Sequence, residues 1–137
     1  MTTLRPTSQD TRQILIDNGI SSSLIFLGQE PDTPNTVITI YDTGGDAPNP
    51  KWLLDFPTIQ IRSRSKQYTT AYSNLINCRD IILGIDKLVV STTTYVGFQQ
   101  STGVLGLGKD EKDRYMLSIN FNVTREPASG NNRQSNI

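Results

Sequence analysis

The sequence predicts an α+β domain in which two helices pack on one face of a mostly antiparallel sheet of four to five strands. Three observations carry this. Residues 68–83 place Tyr68, Tyr72, Leu75, Ile76, Ile82 and Leu83 at helical spacing, with Asn74, Asn77 and Asp80 elsewhere. Residues 58–65 and 115–123 instead alternate with period two, the mark of strands. The order along the chain is helix, three strands, helix, two strands, which fits helices gathered on one side of a sheet.

Taken in order, Thr7 or Ser8 caps a first helix that runs through Ile16 and stops at Asn18-Gly19, a left-handed terminus. Residues 24–27 are four apolar side chains fenced by three serines and Gly28, too few for a helix, and read as a buried strand. Residues 31–35 form a turn, and the β-branched residues 37–42 a second strand. Residues 43–57 hold three prolines and two glycines, which makes them a long loop carrying Trp52, Leu53, Leu54 and Phe56. In residues 58–65, Ile59, Ile61 and Ser63 share one face, while Gln60, Arg62 and Arg64 line a wet one. Gly84 ends the second helix. Residues 92–100 are Thr-rich and strand-forming, Gly103, Gly106 and Gly108 mark a flexible connection, and Tyr115 to Val123 is the strongest strand pattern of all. Residues 1–126 are thus one domain, and residues 127–137 a polar tail expected to order only on a partner.

Composition removes whole classes of chemistry. The 137 residues include no His, so Ser-His-Asp and Cys-His triads and His-ligated metals are excluded. Thirteen basic residues balance thirteen acidic ones, which argues against a broad phosphate-binding surface. The single Cys78 makes no internal disulfide or thiolate cage, and it sits beside the apolar stripe of the second helix as a packing residue. With no apolar run of membrane or signal-peptide length, synthesis in the cytoplasm and no membrane partner are expected.

The remaining patterns weigh against catalysis. Residues 103–109 match the start of a phosphate-binding loop, but Asp110 stands where the Mg²⁺-binding hydroxyl belongs and a strand follows instead of a helix. Asp110, Glu111 and Asp113 alternate with Lys109, Lys112 and Arg114, a pattern of a solvated face or an interface ion-pair set rather than converging acid and base. Gln60, Arg62 and Arg64 fit either a solvated strand face or a protein contact. Trp52 and Phe56 are large apolar side chains on a Pro-rich loop, either folded back as a lid on the core or set as anchors in a neighbour. No catalytic residue, cofactor site or metal site emerges.

Several ordered blocks carry a resemblance. Pro31-Asp-Thr-Pro34, Ile40-Tyr-Asp-Thr-Gly-Gly45, Pro48-Asn-Pro-Lys-Trp52, Phe56-Pro-Thr-Ile-Gln-Ile-Arg62, Leu107-Gly-Lys-Asp-Glu111 and Asn120-Phe-Asn-Val-Thr-Arg125 resemble the bacteriophage minor capsid protein family, whose members are similar to tail terminator proteins of long-tailed phages. The resemblance spans residues 4–127. It implies a virion protein of the tail and neck that assembles as a hexameric ring on the head-proximal end of the tail tube. Such a ring stops tube polymerisation by covering the last ring of major tail protein and docks the head-completion protein, while DNA passes through the lumen without sequence-specific binding. A head-completion protein, or a carboxylate-dependent enzyme, is the alternative. On the terminator reading, Asp110, Glu111 and Arg114 pair with charges on a neighbouring subunit or the tube, Trp52 and Phe56 anchor the loop, and Gln60, Arg62, Arg64 and Lys109 complete the interface.

Overall fold

The computed structural model describes residues 4–48 and 54–127 and places in them two helices and a seven-stranded sheet. The helices are α1 (Thr7–Asp17) and α2 (Tyr68–Leu83). The strands are β1 (Ile25–Leu27), β2 (Val37–Asp42), β3 (Thr58–Ser65), β4 (Leu88–Val90), β5 (Thr93–Gln100), β6 (Leu105–Lys109) and β7 (Tyr115–Glu126). They lie in the order β1-β2-β3-β7-β5-β4, with β6 also paired to β7. Only β1–β2 is parallel among the described pairings. The α+β class stands, with more strands than the expected four to five and one parallel pair.

The long β7 organises the sheet. One edge pairs with β3 in unbroken register from Thr58↔Asn122 to Ser65↔Tyr115. The other edge takes β6 opposite its first residues and β5 opposite its last, so these two strands lie end to end. Ser101 N–H donates to the Asn120 carbonyl at 2.9 Å between them. The Gly-rich connection expected to be flexible is therefore a strand, with a bulge between Gly106 and Gly108 where Gly108 adopts a φ of 83°.

Both helices cover one face of the sheet. Ile38, Ile40, Ile59, Ile61, Leu117, Ile119 and Phe121 meet Ile14 and Leu15 of α1 and Ala71, Leu75, Cys78 and Ile82 of α2. Each large aliphatic side chain fully buried in this layer contributes roughly 1.5–3 kcal/mol. Cys78 lies inside the stripe rather than beside it, and burial pushes its thiol up to about 12. Tyr68, Tyr72 and Leu83, counted in the stripe from their spacing, are exposed. The true stripe follows a 4-3-4 spacing through Ala71 and Cys78, whose small side chains let α2 lie close to the sheet.

Two local expectations are corrected by tertiary contacts. Thr7 and Ser8 do not cap α1: Pro6 holds the cap position, and both residues are buried inside the helix. The anionic partner comes from Asp42 at the end of β2, which accepts from Ser8 N–H at 3.0 Å and from Ser8 Oγ at 2.6 Å, against the positive end of the helix. Nor are the described parts of residues 43–57 an irregular loop. Thr43 N–H donates to Thr58 O and Asp46 N–H to Phe56 O, each at 3.0 Å, which extends the β2–β3 hairpin past the ends of its two strands as an arm. Asp55 and Arg125 exchange backbone hydrogen bonds of 2.8 and 3.1 Å, closing the base of the arm on β7. Gly45 is required here, because its φ is 89° and a Cβ would approach the Phe56 carbonyl oxygen to 2.3 Å.

Candidate assembly interface

The residues expected to form an interface fall at three places. Trp52 lies outside the described residues, while Phe56 is half-buried at the inner end of the arm. Gln60 and Arg62 lie on the sheet face that the helices leave uncovered. There Arg62 Nε donates to Gln60 Oε1 at 3.2 Å, and its guanidinium sits 5.5 Å from the Tyr41 ring centroid. Lys109, Asp110, Glu111 and Arg114 gather at the β6–β7 turn.

Arg64 departs from the wet face assigned to it and is only 2% exposed. Residues 28–36 fold over it. Its guanidinium pairs with Glu30 at 3.1 Å and donates to the carbonyls of Pro34 at 2.8 Å and Asn35 at 3.3 Å. A buried cation is tolerated only when its donors are satisfied, and this segment satisfies them.

The β6–β7 turn is held by the same segment. Asp110 Oδ1 accepts from the backbone N–H groups of Lys112 at 2.9 Å and Arg114 at 3.0 Å, shaping the turn, while Oδ2 accepts from Arg114 Nε at 2.8 Å. Arg114, 4% exposed, also donates to the Asp32 carbonyl at 2.5 Å, and Lys112 Nζ reaches the Asp32 carboxylate at 2.5 Å. Hydrogen bonds from Arg114 hold the Asp110 carboxyl down at about 2, and Lys112 lowers that of Asp32. Asp110 and Arg114 thus spend their charge within the chain. Glu111 and Lys109 remain exposed, the Lys109 ammonium 4.7 Å from the Tyr115 ring centroid.

A second polar cluster was not anticipated. Asp10, fully buried, faces Arg5 Nε at 3.0 Å and accepts from the Tyr95 hydroxyl. Arg125 donates to the Tyr95 oxygen at 3.3 Å and to the Arg5 carbonyl at 2.9 Å, and its Nε lies 3.5 Å from Asp55. The cluster ties the N-terminal segment, α1, β5, β7 and the arm together. Burial raises the carboxyl of Asp10 and the phenol of Tyr95 above their ordinary values. One signal was available: Asp10 stands four residues before Ile14, on the core side of α1. Among the described residues no three His, Cys, Asp or Glu side chains gather into a metal site.

A family model described as bacteriophage tail terminator protein matches residues 14–127. The chain belongs to the bacteriophage tail terminator family. The match runs from the middle of α1 to the residue after β7, and so includes the whole sheet, the arm and the β6–β7 turn. The resemblance carried by the sequence blocks is borne out. A comparison with curated proteins finds no match. Among solved structures, a chain of the "Virion of native gene transfer agent (GTA) particle" superposes with a TM-score of 0.70 at 15% identity, over 88% of this chain and 95% of that one. The two share a fold. As a tail terminator the chain is a component of the phage tail.

Proposed function

We propose that this terminator forms a hexameric ring on the head-proximal end of the tail tube, halts its growth and then docks the head-completion protein, without enzymatic activity. Family membership over residues 14–127 carries the reading. The geometry supports it with an arm that extends the β2–β3 hairpin past the ends of its two strands and a turn whose shape is fixed by Asp110, Arg114 and Asp32. Phe56 and Trp52 anchor the arm in a neighbour, and Glu111 and Lys109 are the turn's charges for the tube or the next subunit. Asp110 and Arg114 act there by holding the turn. The Gln60–Arg62 face contacts a protein neighbour, and a net charge of zero suits DNA that passes the lumen without being held. No described helix is long and apolar enough to cross a membrane.

The test is negative-stain electron microscopy of the purified chain mixed with assembled tail tubes. A sixfold ring at one tube end is expected. Bare tube ends, with binding to filled heads instead, would move the chain to the head-completion role.

A further inference from the structure

We infer that the arm of one subunit lies on the row of tyrosines formed by Tyr115, Tyr68 and Tyr72 of the next, with its Asp46 facing Lys109 there. This rests on the ring reading above and names the surface that receives the arm.

Measured contacts join the row into one surface. Tyr68 stacks on Tyr72 with ring centroids 6.3 Å apart and meets Tyr115 edge-on at 5.5 Å, and the Lys109 ammonium lies 4.7 Å from the Tyr115 centroid. β7 supplies Tyr115, β6 supplies Lys109 and α2 the other two rings, so the row bridges three elements. Tyr68 and Tyr72 are 48% and 43% exposed, and they are the only exposed aromatic side chains among the described residues. Rings with a large face and few rotors lose little entropy on binding, which is why tyrosine recurs at binding hot spots. The charge that touches this surface is positive.

The arm offers the complement. Between Asp46 and Phe56, which bridge its two sides, the sequence is Ala-Pro-Asn-Pro-Lys-Trp-Leu-Leu-Asp, rich in proline and large apolar side chains. Proline-rich segments dock on aromatic-lined surfaces because their backbone is stiff before it binds. Of the carboxylates, Asp42 is bonded to Ser8 and Asp55 lies 3.5 Å from Arg125, whereas Asp46 is exposed. Asp46 is thus the arm's charge for Lys109, and Lys51 falls among tyrosine ring faces that attract a cation.

The contact needs a second copy. Within one chain Lys109 pairs with Tyr115 and Tyr115 with Ser65, at the far end of β3 from the arm. Asp46 is held by its bridge to Phe56, about 30 Å of extended chain from Ser65, and so does not meet Lys109 of its own subunit. A contact between two different surfaces of two copies is heterologous, the type that a ring requires.

A photoactivatable benzophenone residue at Tyr72 keeps an aromatic ring there and reads the contact in the full chain, irradiated after mixing with assembled tail tubes. Negative-stain images of the same sample read the ring. The expected product has twice the chain's mass and links position 72 to residues 46–56 of another copy. Lys109→Glu should lower its yield roughly two- to fivefold, as loss of an exposed ion pair does, and adding Asp46→Lys to that variant should restore it. Rings on tube ends that give no such product, that link position 72 to a different protein, or whose yield Asp46→Lys fails to restore would overturn the inference and leave the ring reading in place. Tube ends without rings would overturn both.

Discussion

Asp110 and Asp10 are both carboxylates that meet an arginine, yet acid acts on them in opposite senses. Around Asp10 burial outweighs the help from Tyr95, Arg5 and Arg125, so the folded chain keeps this proton to higher pH than the unfolded chain does. Its contribution therefore falls as pH rises past the ordinary 3.8. For Asp110 the hydrogen bonds from Arg114 win, and its contribution is complete above 3.8 and lost as pH falls toward about 2. Asp110→Asn keeps an acceptor for the Lys112 and Arg114 backbone N–H groups and removes the charge that titrates together with the Oδ2 acceptor for Arg114 Nε. The thermal midpoint of the variant should lie below the parent's at neutral pH and vary less with pH from 3.8 down to 2, as followed by circular dichroism. An unchanged pH profile would show that the Asp110–Arg114 pair contributes nothing to stability.

At the scale of elements, pairing of Val90 with Thr93 leaves Ser91 and Thr92 as a two-residue turn, with φ of 47° and 69°. Positive φ at both positions is the turn that matches strand twist, but residues with a Cβ are strained there by roughly 1–2 kcal/mol each. Ser91→Asn combined with Thr92→Gly should stabilise the chain by about 1 kcal/mol in urea unfolding, since Asn and Gly accept this backbone readily. The same turn explains why β4 was not legible. Without the Asn-Gly signal, and with only three residues of which two are exposed, nothing marked it as separate from its surroundings. β6 was hidden by its glycines, which bulge onto β7 instead of loosening the chain. α2, β3 and β7 were legible because they run 16, 8 and 12 residues, long enough for a period to show despite local departures. The charged turn was partly legible too, since Asp110 and Arg114 are neighbours in sequence. Their link to Asp32, and the burial of Arg64 under the same segment, depend on the path of residues 28–36, which carry no repeating pattern.

For the whole molecule the open question left by the sequence was whether residues 43–57 serve the core or a partner, and the geometry answers it for the base of the arm. Its base serves the fold: Asp55 is bonded to Arg125, which in turn holds Tyr95 and the N-terminal segment. The β2–β3 register spans Val37↔Arg64 to Asp42↔Ile59, and the Asp46–Phe56 bridge continues it into the arm. Replacing residues 48–54 with Asn-Gly leaves Ala47 opposite Asp55, preserves the Asp46–Phe56 bridge and gives the hairpin a turn suited to its twist. If the outer arm is an anchor, the shortened chain should unfold within a few degrees of the parent, because a change of 1 kcal/mol moves the midpoint of a domain of this size by only about 2–8 °C. Its capping of tail tubes should fall at least tenfold, the loss expected when an interface gives up about 1.4 kcal/mol or more. A shortened chain that melts far earlier would instead make the removed segment a lid on the core. One that caps tubes normally would move the tube contact to the β6–β7 turn, where Glu111 and Lys109 then carry it.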